Sequence, residues 1–382
     1  MNNSTVFCYF NGNNELEPEI HRSLIKINKL NLNNNIKVIL QISRAEKELI
    51  KIIRKNKNLE FPGEKNWSGV RRYLLNNDGL NLLEKCGNIN MADPQNLTRY
   101  LQWGAENFLS ENNILIMGGH SIKYIGSMID YSQDSPYFMS LQEMCKAIGK
   151  VSQLKINLLI LDICYMNTLE LIFELASQEN INYMLTYIDK GPLSGLPYNK
   201  VIKLIKRNCK LDKIEVIVNK IIDNLDRNLI AFKLNFHRLK KVKQIFNQKA
   251  NQLIAKEKNE NLKKQEIRKV YKKMITELSP SIFSDKKHGT YKKLINFIDF
   301  NPLQIPYGKY SFKFSFYRFN QWPDLLIRGI NERKMMNIKP SPIKISPKVL
   351  FKLLSAVNPV LDTKEVKNIL LELYRFKNWN FN

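Results

Sequence analysis

The chain has 382 residues, 44% of them apolar, and a formal net charge of +25. That length and apolar content are enough for one or two sizeable cores and exclude a chain that is disordered throughout. No apolar run approaches the roughly 20 residues of a membrane span, and residues 1–10 lack the pattern of a secretory signal, so we expect a cytoplasmic protein.

The positive charge is concentrated in one half of the chain. Residues 1–200 sum to +1, so residues 201–382 carry the remaining +24. One interpretation is an anionic partner of the basic half, such as nucleic acid, a lipid surface or an acidic protein. The other is a lysine-rich composition spread over solvated helix faces. We favour the second, because no nucleic-acid-binding motif accompanies the lysines.

The first elements predict an α/β fold. Residues 5–10 have the pattern of a strand, residues 18–30 that of an amphipathic helix, and residues 36–42 that of a second strand. This order begins a parallel sheet that is covered by helices on both faces. Residues 45–90 are less regular and indicate a hairpin or excursion near residues 67–75.

Two later strands end in residues that can carry chemistry. Asp93, with Pro94 behind it, is a predicted helix N-cap, and the helix leads to an apolar strand that ends in His120. A similar apolar strand at residues 158–161 ends in Cys164. Functional side chains gather at the carboxyl ends of strands in open parallel sheets, so His120 and Cys164 are a candidate base and nucleophile. The competing interpretation is a structural histidine and a small buried core cysteine.

The intervening and following segments predict the surroundings of these residues. Residues 122–137 are polar and predict a mobile loop over the site. Ser140 is the expected N-cap of a helix at residues 141–148. A further strand is expected at residues 183–187, and the glycine- and proline-containing residues 189–199 are expected to form a wall of a substrate cleft.

Past residue 198 the pattern is mainly helical. Helices are expected at residues 201–205, 214–225 and 362–379, with a long basic helical stretch at 231–278 and an alternating aromatic strand at 310–319. We therefore predict a domain at residues 1–205 and a basic C-terminal region at residues 206–382. That region is expected to be helical over residues 206–279 and mixed over residues 280–382.

Several motifs occur together in an order found in one known family. They are YFNGNNELE at residues 9–17, VILQ at 38–41, WSGVRRY at 67–73, NMADP at 90–94, Gly-His at 119–120, Asp-x-Cys at 162–164 and GLPY at 195–198. Over about residues 5–205 the chain resembles the clostripain family of caspase-like cysteine peptidases. The resemblance implies a caspase-like αβα sandwich with a mostly parallel central sheet, followed by a basic, mainly helical C-terminal region with some strand.

The resemblance also implies an activity and roles for individual residues. It implies a cysteine endopeptidase that cuts after Arg or Lys and forms a thioester on Cys164, with His120 as the catalytic partner of Cys164. The backbone N–H groups of Ser121 and Cys164 would form the oxyanion hole. Asp162 would meet the substrate cation, because it projects to the same side of the strand as Cys164. The alternative is that Asp162 accepts a hydrogen bond from a neighbouring backbone N–H. Family members usually have glycine where Ser121 stands and alanine where Ile163 stands.

The sequence indicates no cofactor. Five cysteines without Cys-x-x-Cys spacing predict neither a zinc cage nor a disulfide framework, and calcium enters only through the resemblance. Self-cleavage is a further implication of the resemblance. Lys123 and Lys146 follow His120, but the run at residues 284–289 is the favoured site. The alternative function is a nucleic-acid-binding or scaffold protein that contains an inactive caspase-like domain.

Overall fold

The fold is described from a computed structural model. It describes residues 4–32, 35–54, 67–122, 126–167, 169–188, 190–208, 213–241, 244, 282–285 and 342–379. The strands are β1 (Ser4–Gly12), β2 (Ile36–Arg44), β3 (Gly69–Asn76), β4 (Gly79–Gly87), β5 (Asn112–Gly118), β6 (Ser121–Ile122), β7 (Gly126–Asp130), β8 (Tyr137–Ser140), β9 (Ile156–Asp162), β10 (Ile181–Tyr187), β11 (Leu229–Lys233), β12 (Ile282–Asp285) and β13 (Ile343–Lys344). The helices are α1 (Glu17–Asn28), α2 (Lys47–Ile53), α3 (Pro94–Phe108), α4 (Leu141–Gly149), α5 (Leu169–Ala176), α6 (Tyr198–Asn208), α7 (Ile214–Asn224), α8 (Pro347–Val357) and α9 (Thr363–Lys377).

Nine of the described strands form one central sheet, in the order β12-β11-β10-β9-β5-β1-β2-β3-β4. The five strands from β10 to β2 are parallel to one another. Antiparallel pairs flank them on both sides, so β12 and β4 again run in the direction of the inner strands. The predicted α/β fold with a mostly parallel central sheet is therefore confirmed.

Helices cover both faces of this sheet, as strands that are apolar on both sides require. Phe7 and Tyr9 of β1 contribute to a core that includes residues of α3, α4 and α5. Val6 and Cys8, which alternate with them, contribute to a second core with α1, α6 and α7. The molecule is thus an αβα sandwich, and the carboxyl ends of its inner strands meet at one edge.

The predicted helix starts are confirmed for the two crossover helices that precede the candidate site strands. At the start of α3, Asp93 Oδ1 accepts a hydrogen bond from the backbone N–H of Gln95 at 2.9 Å, and Pro94 lies in the first turn. At the start of α4, Ser140 Oγ accepts from the backbone N–H of Glu143 at 3.2 Å.

A third apolar core fixes the C-terminal hairpin, which we define as α8 and α9, against the rest of the molecule. Leu350 of α8 and Ile369 of α9 are buried in this core together with Ile50 of α2. Strand β13, which leads into α8, pairs antiparallel with β8. Asp362 and Glu365 form a capping box at the start of α9, the helix expected at residues 362–379, whereas α8 was not predicted.

Two predictions of local structure are wrong. Residues 126–130, within the stretch 122–137 that was expected to be a mobile loop, form β7, and Tyr137 at the end of that stretch begins β8. The polar end of β7 is buried because Asp130 accepts hydrogen bonds from the backbone N–H groups of Met91 and Ser132. The start of the predicted basic helical stretch instead forms β11, because Leu229–Lys233 is an apolar run that pairs with β10.

Other predictions remain open. The predicted strand at residues 310–319 and most of the predicted helical stretch at residues 231–278 lie outside the described residues. The division of the chain at residue 205 stays a prediction, and the central sheet continues beyond that point through β11. Among the described residues, no helix combines the length and the apolar character that a membrane crossing requires.

Candidate active site

The two candidate catalytic residues lie at the carboxyl ends of neighbouring parallel strands. Gly118 at the end of β5 is paired with Asp162 at the end of β9. His120 and Cys164 each lie two residues beyond this pair, so the same sheet edge carries both. They line one cavity of about 400 Å³. The structure therefore brings together the histidine and the cysteine that strand patterns had suggested.

Cys164 is half-buried, and its surroundings act against the thiolate. Its Sγ lies 3.8 Å from the carbonyl oxygen of Gly191. Burial raises the pKa of the Cys164 thiol and the Asp162 carboxylate raises it further, whereas the hydrogen bond with Gly191 and the charge of Lys190 lower it. A thiol in such a site needs a nearby base to become a nucleophile at neutral pH.

The chain makes a sharp turn directly after this cysteine. Tyr165 has a φ of 59°, in the left-handed region that side chains other than glycine rarely adopt. Such backbone strain is often found at functional sites, where the surrounding structure holds it in place. Here the chain turns away from the line of β9 directly after Cys164, and α5 begins at Leu169.

Ser121 connects the two strand ends. Its Oγ donates a hydrogen bond to the carbonyl oxygen of Cys164 at 2.5 Å. The side chain that stands where the resembled family usually has glycine is thus used to fix the backbone of the nucleophile. The proposed role of the Ser121 and Cys164 backbone N–H groups in an oxyanion hole stays a prediction.

Asp162 is more enclosed than the sequence suggested, since its exposed fraction is only 7%. Its Oδ1 accepts a hydrogen bond from the Tyr187 hydroxyl at 2.6 Å, and its Oδ2 accepts from the Leu196 backbone N–H at 2.8 Å. Tyr198 is a further hydrogen-bonding partner, and burial raises the pKa of the Asp162 carboxyl. Asp162 therefore lines the cavity, but it also accepts the backbone hydrogen bond that had been weighed as the alternative.

The loop after β10 shapes the wall of the cavity beside Asp162. Residues 190–195 line the cavity, in agreement with the predicted cleft wall. Gly195 has a φ of +64°, and a side-chain Cβ at this position would come within 2.6 Å of Asp162 Oδ2. Glycine at position 195 thus permits the close approach that brings the Leu196 N–H to the carboxylate.

The cavity lining also includes a segment that the sequence did not associate with the site. Val349, Lys352 and Leu353 of α8 line the same cavity as His120 and Cys164. The spacing of apolar residues in 347–357 is compatible with a helix, but no local signal places that helix at the carboxyl edge of the sheet. Only the third apolar core, formed across the chain, does so.

Glu15 is a second residue that the sequence did not identify as part of the site. It belongs to the loop between β1 and α1 and is fully buried. Its Oε1 lies 3.1 Å from His120 Nε2. The signal was present, because Glu15 follows a strand that ends at the same edge, but a single sequence does not show that β1 and β5 are neighbours.

No metal site accompanies this arrangement in the described part of the chain. There, no three His, Cys, Asp or Glu side chains are grouped so that they could hold a metal ion.

Comparison with known families matches residues 22–306 to the clostripain family. The matched range contains His120 and Cys164. No curated protein matches the chain.

Three similar solved structures come from two organisms. An inactive zymogen C11 protease from Parabacteroides distasonis is 15% identical with a TM-score of 0.47, and the match covers 64% of this chain and 65% of that chain. A secreted C11 cysteine protease from Bacteroides thetaiotaomicron, iotapain, is 14% identical with a TM-score of 0.48, with 65% and 70% covered. A secreted C11 cysteine protease from the same organism in complex with an irreversible peptide inhibitor is 12% identical with a TM-score of 0.46, with 65% and 70% covered. The chain thus spans less than two thirds of the first structure's length.

Proposed function

The chain belongs to the clostripain family of cysteine peptidases, and we propose that it is an endopeptidase that cuts peptide bonds after Arg or Lys. Cys164 is the nucleophile of this proposal and His120 its base. The observation that carries it is the pairing of Gly118 with Asp162, because it sets both residues at one edge of the sheet and beside one cavity.

In the proposed reaction, His120 takes the proton of the Cys164 thiol, and the sulfur attacks the carbonyl carbon of the substrate. The backbone N–H groups of Ser121 and Cys164 bind the oxygen that becomes negative. His120 then gives its proton to the departing amine, which leaves a thioester on Cys164. Water, deprotonated by His120, hydrolyses the thioester and regenerates the thiol.

The preference for Arg or Lys rests on Asp162 in this proposal. Its oxygens accept hydrogen bonds from Tyr187, Leu196 and Tyr198, which leaves one of the about four acceptor positions of a carboxylate for a ligand. Glu19 also lines the cavity, but its carboxylate is paired with Arg54 at 2.7 Å, so Asp162 carries the preference in this proposal. Arg is expected to be preferred over Lys, because its planar guanidinium can donate two hydrogen bonds at once.

Substitution of the dyad tests the catalytic part of the proposal. We expect Cys164→Ala and His120→Ala each to abolish hydrolysis of a fluorogenic peptide with Arg before the cleaved bond. The matched control is Cys145→Ala, since Cys145 is buried in α4 away from the cavity. Near-normal turnover by Cys164→Ala would overturn the assignment of the nucleophile.

Self-processing is a separate proposal with a separate test. Lys146 lies in the last turn of α4 and forms an ion pair with Glu143 at 3.0 Å, so it is not presented in the extended form that peptidases bind. Lys123 and residues 286–289 of the favoured run lie outside the described residues. Intact mass measurements of the wild-type protein beside Cys164→Ala check the idea. A wild-type chain that stays uncut whenever it is active would remove it.

The basic half motivates the alternative function, a nucleic-acid-binding or scaffold protein. A protein of that kind would bind a nucleic-acid duplex with an affinity that falls steeply between roughly 50 and 200 mM salt. Alkylation of Cys164 would not affect that binding. The proposed peptidase would instead lose its turnover on alkylation. A cytoplasmic location and a calcium requirement stay predictions.

A further inference from the structure

A buried carboxylate lies directly behind the candidate catalytic histidine. Glu15 has no exposed surface, and its Oε1 is 3.1 Å from His120 Nε2. Among the described residues, neither oxygen of Glu15 has a hydrogen-bond donor in ideal alignment, His120 Nε2 included. Tyr131 is the other polar group close to it, and burial, the Glu15 charge and a hydrogen bond to Glu15 raise the pKa of the Tyr131 hydroxyl.

The loop that carries Glu15 is held firmly in place. The Asn14 side chain accepts a hydrogen bond from the backbone N–H of Leu16 at 2.8 Å and donates to the carbonyl oxygen of Ile129 at 2.6 Å. The backbone N–H of Tyr131 donates to the carbonyl oxygen of Asn13 at 2.9 Å. These bonds connect the end of β1 to the end of β7, so the position of Glu15 is set by two neighbouring elements.

The energetic argument concerns what a buried carboxylate requires. Removing a carboxylate from water costs several kcal/mol unless a partner compensates for the lost hydration. His120 is the group within ion-pair distance of Glu15. The 3.1 Å separation is within hydrogen-bonding range, although the ring is not aligned for a hydrogen bond in this structure. Catalytic hydrogen bonds are often poorly aligned in unliganded enzymes and tighten when substrate binds.

We propose that Glu15 is the positioning residue of His120. Its carboxylate accepts the Nε2–H of the neutral imidazole, which leaves Nδ1 unprotonated and available to Cys164. The proton of the Cys164 thiol then moves to Nδ1, and the same proton later passes to the departing amine. Glu15 stabilises the imidazolium between these two transfers and does not take up a proton itself. This inference rests on the proposed function for the reaction, but its central contact is independent of turnover.

The first test measures which ring nitrogen of His120 carries the proton, in a protein that needs no activity. The protein for this test is Cys164→Ala labelled with ¹⁵N-histidine, and the His120 signals are assigned by their loss in His120→Ala. Nitrogen NMR should show the Nε2–H form at a pH where the ring is neutral. Adding Glu15→Ala should release a measurable Nδ1–H population like that of free histidine, in which Nε2–H still predominates, whereas adding Glu15→Gln should keep Nε2–H alone, because the amide oxygen still accepts. An Nδ1–H population in the Glu15→Ala protein no larger than that with Glu15 present would overturn the proposal.

The second test uses kinetics to separate orientation from charge. With the Arg peptide, we expect Glu15→Gln to lower kcat about tenfold and Glu15→Ala at least about a hundredfold, with little change in KM. The matched control is Glu17→Gln, which removes a buried acid from the same segment; Glu17 pairs with Arg44 instead of His120. Equal loss of kcat in Glu15→Gln and Glu17→Gln would mean that Glu15 acts only on stability. A wild-type protein without turnover would contradict the proposed function and leave the NMR result standing.

Discussion

The Asp162→Asn substitution tests the proposed specificity with two measurements that should move in opposite directions. The new amide retains one oxygen that can accept the Leu196 N–H, and the Tyr187 hydroxyl can reorient to accept from the amide nitrogen. The pocket is therefore expected to keep its shape and lose its charge. The wild-type carboxylate and a substrate guanidinium about 4 Å apart attract each other by about 4 kcal/mol at an effective dielectric constant of about 20.

Only part of that attraction appears in the rate. Both groups lose hydration when they meet, and charge-assisted hydrogen bonds in proteins contribute about 1.5 to 3 kcal/mol net. Since about 1.4 kcal/mol corresponds to a factor of ten, kcat/KM for the Arg peptide should fall roughly 10- to 150-fold. A matched peptide with citrulline, the neutral analogue of Arg, should change little. Tyr187→Phe, which removes one hydrogen bond but keeps the charge, should preserve the preference for Arg.

The second measurement is alkylation of Cys164 by iodoacetamide. The Asp162 carboxylate is one of the groups that raise the pKa of the Cys164 thiol, so its removal should lower that pKa and increase the thiolate fraction at pH 7. Alkylation of Asp162→Asn should therefore be faster than that of the wild-type enzyme, while cleavage of the Arg peptide is slower. Misfolding would also expose Cys164 and speed its alkylation, so the comparison requires a urea unfolding midpoint equal to that of the wild type. If Asp162→Asn still prefers Arg to citrulline, the assignment of Asp162 to the substrate cation is refuted.

Three further predictions concern the surroundings of the site. Burial raises the pKa of Asp130 from 3.8 to about 6. The free energy of unfolding should therefore fall by about 3 kcal/mol as pH rises from below 4 to above 6. Urea titrations of Asp130→Asn should show that this pH dependence of stability is lost. Lys352→Ala should lower KM for the Arg peptide about twofold at low ionic strength, because a cation that lines the cavity repels a basic substrate. The effect should vanish in high salt. It should also be absent in Lys348→Ala, since Lys348 lies on the same helix outside the cavity. Asp362→Ala should destabilise the start of α9 by about 1 kcal/mol through loss of its cap, and a protection from hydrogen exchange equal to the wild type's would contradict this.

The sequence predicted the parts of the site that depend on single elements. His120 and Cys164 could be found because each ends a short apolar strand, and the strand-end rule for parallel sheets applies to each one alone. The Asp162 side chain was also expected near the thiol. Asp162 also accepts a hydrogen bond from the backbone N–H of Leu196. Leu196 lies in a loop, and the conformation of a loop cannot be predicted from the spacing of apolar residues.

Contacts between distant segments could not be predicted in this way. Glu15 meets His120 only because β1 lies between β2 and β5, and strand order is not visible in a hydrophobic pattern. Strand β7 was taken for a loop because its polar residues, such as Ser127 and Asp130, are satisfied by partners elsewhere in the fold. Ser127 Oγ, for example, contacts the sulfur of Met144. Each of these errors concerns buried polar groups whose hydrogen-bonding or charged partners lie far away in the sequence.

The position of α8 in the cleft has a consequence for how the protein is made. His120, Cys164 and the loop that ends at Tyr198 are all synthesised before the helix at Pro347–Val357, which lines the same cavity. At ribosomal rates of about 5 to 20 residues per second, the chain between Tyr198 and Val357 takes roughly 10 to 30 seconds to appear. During that interval a nascent chain can assemble the sheet edge that carries the dyad, but it lacks one wall of the cleft. Full substrate recognition is therefore expected to arise later in biosynthesis than the fold of the sheet.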